Sequence, residues 1–398
     1  MIDPLLVGGL VIACFVAYNI GGATTGPAFG PAVGAGVISK TVAGGLMSVC
    51  FFLGAWTIGR RVVDTLGEEL VRDPAVFTLP ASIVVLFFIG GALLIGNVSG
   101  APASTSMTAV GAIAGLGLAT GELDSAVIGE ILAWWIISPV IGFWMAVVIG
   151  RYAYGTIDRL IAIERSEGPL VTVEGSGPLP RPAPGPNTTR RELIGTVVVV
   201  GIGCLMAFSS GASNVANAIA PLVGSGAVGM NPGIVIGSVA VAAGALTIAR
   251  RTMETLGNDI TDLPLTAAIV VAVLSSTIVI VLSAIGIPAS FVIIATVCIV
   301  GLGWGRSTRQ VPIAAAVHGN ASPRVSVGAL TADGAPTVGE PEPGESTDDV
   351  AADGDGDPPP RSELFDPATT VRVIVMQNVV PILATIGSYL AFVLVGPV

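Results

Sequence analysis

Seven stretches of this chain contain no charged side chain at all: residues 4–39, 41–59, 74–121, 131–150, 193–249, 263–305 and 373–398. A helix needs about 20 apolar residues to cross a bilayer, so these runs hold roughly ten crossings. Inside hydrocarbon every backbone N–H and C=O must be paired within the protein, which leaves helices as the natural form for runs of this length. Only 11% of the residues are charged and the mean hydropathy is +0.85, whereas soluble domains carry about 25% charged residues. The expectation is an all-α polytopic protein, multi-pass in the cell membrane, with lipid as its first partner. The run that starts at Pro4 has no basic segment before it and no small-residue cleavage site after it, and reads as a retained span.

Four cysteines, Cys14, Cys50, Cys204 and Cys298, sit inside the apolar runs without metal-ligand spacing and read as small packing residues. Net charge is −10 with Lys40 as the sole lysine, and acidic residues crowd one segment, "GEPEPGESTDDVAADGDGD". Dense carboxylates keep a surface hydrated where salt screens their repulsion, so a halophilic, archaeal habitat is expected. Nucleic-acid binding has no basis in this charge pattern.

Two polar, Pro- and Gly-rich segments divide the apolar chain. The resulting organisation is a first transmembrane repeat at 1–151, a polar linker at 152–191 and the main part of a second repeat at 192–305. An acidic linker at 306–368, expected to be disordered, and a last helix at 369–398 complete it. Arginines flank the spans beside both linkers, Arg151 and Arg159 by one and Arg306 and Arg309 by the other, which argues for a cytoplasmic position.

The halves repeat. A shift of 190 carries Gly21, Pro31, Gly34 and Gly36 onto Gly211, Pro221, Gly224 and Gly226, and Arg60, Arg61, Thr65, Leu66 and Gly67 onto Arg250, Arg251, Thr255, Leu256 and Gly257. A shift of 186 carries "GAPAS" at 100–104 onto "GIPAS" at 286–290. Duplicated helical units are the mark of secondary transporters, whose sites lie at the midplane where helices are broken. About five crossings per half, an odd number, implies two inverted repeats with broken or re-entrant helices at the midplane.

Two pairs of polar stretches are candidates for such breaks. "YNIGGATTGPAFGPAVGAG" at 18–36 corresponds to "FSSGASNVANAIAPLVGSG" at 208–226, and both read as poor uninterrupted helices. "GNVSGAPASTSMTAVGA" at 96–112 corresponds to "SAIGIPASFVIIATVC" at 283–298, with Pro102 and Pro288 suited to a first helical turn. A helix N-terminus offers free amides and a positive dipole end to an anion, and Ser104, Thr105 and Ser106 would add hydroxyls. Gly, Ser, Thr and Asn also serve as plain helix-packing residues in membranes; the matched spacing of the paired stretches is what favours a binding site.

Those residues resemble the inorganic phosphate transporter (PiT) family. "SGASNVANAIAPL" is similar to its "HGANDVANAIGPL" signature, "PASTSMTAVGAIAGLG" to its "PVSTTHxIVGAIxGVG", and "RRTMETLGNDITDLPLTAA" to its "xTVGxxITxL". The resemblance implies an inverted-repeat secondary transporter of phosphate, often sodium-coupled, with some relatives moving sulfate or using protons. It implies an oxyanion site at Ser104, Thr105, Ser106, Ser213, Asn214, Asn217, Ser290, Thr24 and Thr25. The coupling ion, Na+ in this reading, would be held among Asn19, Thr24, Asn214 and Asn217, with Glu130 added as the carboxylate at the head of an uncharged span. No other cofactor is implied, and a homodimer is one expected assembly.

The chain departs from the family pattern where charge matters. The signature Asn-Asp pair is Ser213 and Asn214 in the second half and Ala23 and Thr24 in the first. Thr24, Asn214 and backbone carbonyls can still supply oxygens to a cation, but without formal charge. Loss of proton-accepting carboxylates tilts the expectation toward sulfate, or another fully ionised oxyanion, as the alternative cargo. The Arg60–Arg61 pair before Asp64, mirrored at Arg250–Arg251 before Glu254, reads either as a charge pair at a span end or as a gate. No catalytic constellation is legible: the single histidine, His318, lies in the acidic linker. A channel and a non-transporting receptor are the remaining classes, and duplication within one chain favours alternating access over both.

Overall fold

The computed structural model describes residues 3–34, 37–98, 103–161, 171–174, 181–184, 190–247, 265–308 and 367–396. Twelve helices are used below. They are α1 (Pro4–Gly34), α2 (Lys40–Thr57), α3 (Gly59–Asp64), α4 (Leu79–Val98), α5 (Thr105–Thr120) and α6 (Ser125–Val148). After α7 (Tyr154–Ile161) come α8 (Arg190–Gly224), α9 (Met230–Thr247), α10 (Leu265–Ala284), α11 (Phe291–Ser307) and α12 (Pro367–Val395). Single π-helical turns follow α3 and α6, at Thr65–Glu69 and Ile149–Ala153.

Among the described residues, seven helices are long and apolar enough to cross a membrane, or eight if α2 and the α3 segment, bent by 64° at their junction, form one broken span. That is fewer than the ten crossings expected from uncharged runs. The two short apolar helices, α5 and α11, account for part of the difference, since they occupy the ends of breaks rather than whole spans. Large apolar side chains such as Ile136, Val140 and Trp144 on α6 face outward, as a lipid solvent allows.

The expected breaks at 18–36 and 208–226 are absent. Residues 18–34 and 208–224 lie inside continuous helices, α1 and α8. In the α1 stretch the hydroxyls fold back onto their own helix, with Thr24 Oγ1 donating to Ile20 O and Thr25 Oγ1 to Gly21 O. The glycines of both stretches serve packing. A Cβ at Gly21 would strike the backbone of Val241 on α9, and one at Gly211 would strike Phe51 on α2. Gly54 stands against Phe208 and Gly244 against Tyr18 in the same way. Each contact in one pair recurs in the other at a shift of 190 with the halves exchanged, so α1 packs on α9 and α2 on α8.

The second expected pair of breaks is present. α4 ends at Val98 before α5, and α10 ends at Ala284 before α11. Ser104 and Ser290 are the N-caps of α5 and α11, accepting from Met107 N at 3.3 Å and Ile293 N at 3.4 Å. Pro288 therefore precedes the helix instead of opening its first turn, and Pro102 lies outside the described residues. Gly286 turns the chain between α10 and α11 with φ +85°, and a Cβ there would sit 2.7 Å from Thr65 Oγ1. α5 packs on α12, and α11 on α6, again with halves exchanged.

The linker at 152–191 is described in part. It contains α7 and a short antiparallel hairpin, β1 (Val171–Glu174) with β2 (Arg181–Pro184). The acidic segment from 309 to 366 lies outside the described residues. All four cysteines are free.

Candidate functional site

The broken ends of α5 and α11 meet the middle of α8, which carries the stretch "SSGASNVAN". Thr105 Oγ1 donates to Asn214 Oδ1 at 2.6 Å. Ser106 Oγ lies 3.3 Å from Ser213 Oγ and donates to Ala289 O at 3.1 Å. Ser213 Oγ donates to the same carbonyl at 2.9 Å and accepts from Ala289 N at 3.2 Å. Asn217 Nδ2 donates to Asn214 Oδ1 at 3.2 Å and to Ser106 Oγ at 3.5 Å, while Asn214 Nδ2 donates to Ser210 Oγ at 3.0 Å. Hydroxyls and amides from residues more than 70 positions apart thus form one neutral network.

The network is buried. Ser106 and Asn217 are fully inaccessible, Ser213 and Asn214 nearly so. Burial makes every partner count, because an unpaired polar group there costs about 1–3 kcal/mol. One acceptor has none: Asn217 Oδ1 is buried without a hydrogen bond. In this orientation of the amide, Nδ2 meets Asn214 Oδ1 and Ser106 Oγ while Oδ1 is left over. Two helix N-termini, those of α5 and α11, end at the same network, and the first amides of a helix have no intrahelical acceptor. Their dipole ends supply partial positive charge without a fixed cation.

Of the residues expected at an oxyanion site, Thr105, Ser106, Ser213, Asn214 and Asn217 come together, with Ser104 and Ser290 capping the two helix ends. Thr24 and Thr25 are bonded to their own helix and no hydrogen bond joins them to the network. Asn19 is buried on α1, donating to Phe15 O at 2.8 Å and accepting from Asn97 Nδ2 at 3.1 Å. Glu130 is exposed on α6, apart from the network. Among the described residues no group of three His, Cys, Asp or Glu side chains converges.

Ser210, within the stretch read as the second half of the site, joins the network one helical turn before Asn214. Sequence reasoning missed Ala289, which contributes only backbone, a group that no side-chain motif reveals. Also missed was Trp135, whose Nε1 donates to Pro288 O at 2.8 Å and ties the loop before α11 to α6. Among the described residues Arg60 forms no salt bridge. It donates to Asn231 Oδ1 at 2.7 Å and to Trp56 O, and stacks over the Trp56 ring. The mirrored residues Arg250, Arg251 and Glu254 lie outside the described residues.

Comparison with known proteins follows the same lines. The sulfate permease CysP of Bacillus subtilis is 28% identical over 302 residues, covering 76% of this chain and 78% of its own. A protein of Pyrococcus furiosus named "Putative phosphate permease PF1020" is 25% identical over 371 residues, covering 78% of this chain and 89% of its own. A solved structure, the sodium-dependent phosphate transporter, matches with a TM-score of 0.62 over 98% of this chain and 99% of its own, at 17% identity, a likeness of fold. The profile of the phosphate transporter family matches residues 20–322, about three quarters of the length, and the chain belongs to that family.

Proposed function

We propose that this protein is a secondary active transporter that carries inorganic phosphate across the cell membrane, with the α5–α8–α11 network as its anion site. Family membership supports the class of cargo, and Asn217 Oδ1 is the observation that bears on phosphate itself. Phosphate near neutral pH keeps a P–OH proton, and a buried acceptor without a partner is suited to receive it. Thr105, Ser106, Ser213 and Asn217 Nδ2 are the donors that turn from their network partners to the remaining oxygens when the anion enters, backed by the N-termini of α5 and α11. A site without a fixed positive charge releases what it binds, which a transporter requires. The two halves act as inverted repeats, rocking about the network to expose it to either side in turn, and the two linkers lie on the cytoplasmic side. The fold relationship to a sodium-dependent phosphate transporter supports Na+ as the coupling ion.

Sulfate is the second reading, supported by the similarity to a sulfate permease and by the absence of any carboxylate from the network. Sulfate has no proton to offer Asn217 Oδ1. Uptake of labelled phosphate and labelled sulfate into proteoliposomes, under sodium or proton gradients, separates the two. Sodium-driven phosphate uptake that excess sulfate does not compete away is the expected result; sulfate uptake without phosphate uptake would overturn it.

A further inference from the structure

Where α2 crosses α8, the two halves touch backbone to backbone. Gly54 of α2 meets Phe208, Gly59 at the start of α3 meets Val215, and Gly67 beyond it meets Ala220 and Gly224. The two chain segments therefore run parallel along the contact. One turn before Gly54 and Phe208 stand Cys50 and Cys204, and their thiols are hydrogen-bonded to each other. Both cysteines are half-buried, and Val49 and Leu53, beside Cys50 on α2, are exposed on the apolar surface. Lipid-soluble molecules thus have a path to this pair.

The repeat supplies an internal comparison. The shift of 190 carries Cys14 of α1 onto Cys204 and Cys50 onto Ala240 of α9. Gly244 against Tyr18 is the copy of Gly54 against Phe208. One turn before that copy, Cys14 and Ala240 line one apolar groove. One crossing therefore carries a thiol pair, and its copy carries one thiol and an alanine. A disulfide needs Cα atoms about 4.4–6.8 Å apart. Small residues let membrane helices approach closely enough for that, and the glycine contact one turn away provides the approach at both crossings.

We propose that Cys50 and Cys204 form a modification site for neutral, lipid-soluble organic disulfides, which close the thiol pair into a disulfide bond between the two halves. In the first step one cysteine sulfur attacks the reagent. A mixed disulfide forms, the reagent's S–S bond breaks, and one thiol half leaves with the cysteine's proton. In the second step the neighbouring cysteine attacks the modified sulfur, and the other thiol half leaves with the second proton. The reagent is reduced to two thiols as the cysteines are oxidised. Reactants and products are all neutral, as a low-dielectric setting requires. The bond ties the first half to the second one turn before the crossing at Gly54, and so stops their rocking. That consequence rests on the transport reading above; formation of the bond does not.

The test treats the full-length protein in proteoliposomes with dithiodipyridine, a neutral aromatic disulfide, and maps the cysteine peptides by mass spectrometry without reduction. Wild type is expected to give one linked peptide pair, Cys50 with Cys204, free of retained thiopyridine. Cys50→Ala and Cys204→Ala should give no linked pair, and the remaining thiol of each should keep one thiopyridine group. Ala240→Cys should add a second linked pair, joining Cys14 to position 240, because the copy of the crossing then has both sulfurs. Separate thiopyridine adducts on Cys50 and Cys204 without a link, or two unmodified thiols, would overturn the proposal. Phosphate uptake measured on the same vesicles should fall in step with the linked fraction and return with dithiothreitol, and Cys50→Ala should be insensitive. A linked pair with full uptake would leave the site standing and overturn the rocking of the halves at this crossing.

Discussion

Thr105, the first residue of α5, donates its hydroxyl to Asn214 on α8 across 2.6 Å, although 109 positions separate them in the chain. A short helix of one half is thus registered against a long helix of the other by neutral bonds, this one and those of Ser106 with Ser213 and Asn217. Where charge is absent, the position of each hydroxyl carries the recognition. Thr105→Val, which keeps the shape and removes the donor, should raise the phosphate KM about tenfold, while Thr105→Ser should stay within about twofold of wild type. Initial uptake rates against phosphate concentration give both values.

Asn214 occupies the position of the family's signature carboxylate and is held by Thr105 and Asn217 as an acceptor. Asn214→Asp keeps both incoming donors and adds a charge, with Ser210 losing one donor. The half-saturating sodium concentration for uptake should fall, because a formal negative charge strengthens a nearby cation site. A sodium titration of uptake at fixed phosphate reads the shift. An unchanged or raised value would separate Asn214 from cation coupling.

Packing between the halves leads to a paired prediction. Gly54 against Phe208 and Gly244 against Tyr18 are equivalent contacts in which the partner backbone occupies the space of a Cβ. Gly54→Ala and Gly244→Ala should each destabilise the protein by about 1–3 kcal/mol, the usual cost of overpacking. Thermal melts in detergent should show losses of similar size. A large loss in one and none in the other would contradict the equivalence.

Outside the spans, Arg72 and Asp124 clamp the end of the π-turn segment to the turn between α5 and α6. Asp124 N donates to Leu70 O at 3.1 Å, Arg72 N donates to Glu122 O at 2.8 Å, and the side chains approach to 3.6 Å. The amides of Val127 and Ala126 donate to the Asp124 carboxylate and, with Arg72 beside them, hold its pKa below the ordinary value. A depressed carboxylate contributes stability above its unfolded pKa of about 3.9 and loses it as pH falls through the lowered folded value. Asp124→Ala should therefore melt lower than wild type at pH 7, and the gap should close in acid below about pH 4. A gap independent of pH would assign the effect to packing.

Much of this was legible in the chain. Uncharged runs announce the membrane fold, and the matched "GAPAS" and "GIPAS" segments mark the breaks before α5 and α11, because a serine cap leaves a sequence trace. Gly21 and Gly211 misled in the opposite direction. Glycine permits both a break and a close helix contact, and only the partner backbones of Val241 and Phe51 decide between them. The network was visible as residue types but not as a set, since Ala289 joins through its backbone, while Thr24, matched by position, and Glu130, singled out at the head of an uncharged span, fall elsewhere.

The central claim is that the anion sits in the network of α5, α8 and α11, with Asn217 Oδ1 receiving its proton. Phosphate and sulfate KM values in proteoliposomes for Asn217→Ala, beside Thr24→Val and Glu130→Gln as positions outside the network, test it directly. The account expects Asn217→Ala to raise the phosphate KM about tenfold or more, to narrow any preference for phosphate over sulfate, and to leave the other two variants near wild type. Wild-type phosphate kinetics in Asn217→Ala, with the loss appearing in Thr24→Val or Glu130→Gln, would contradict it.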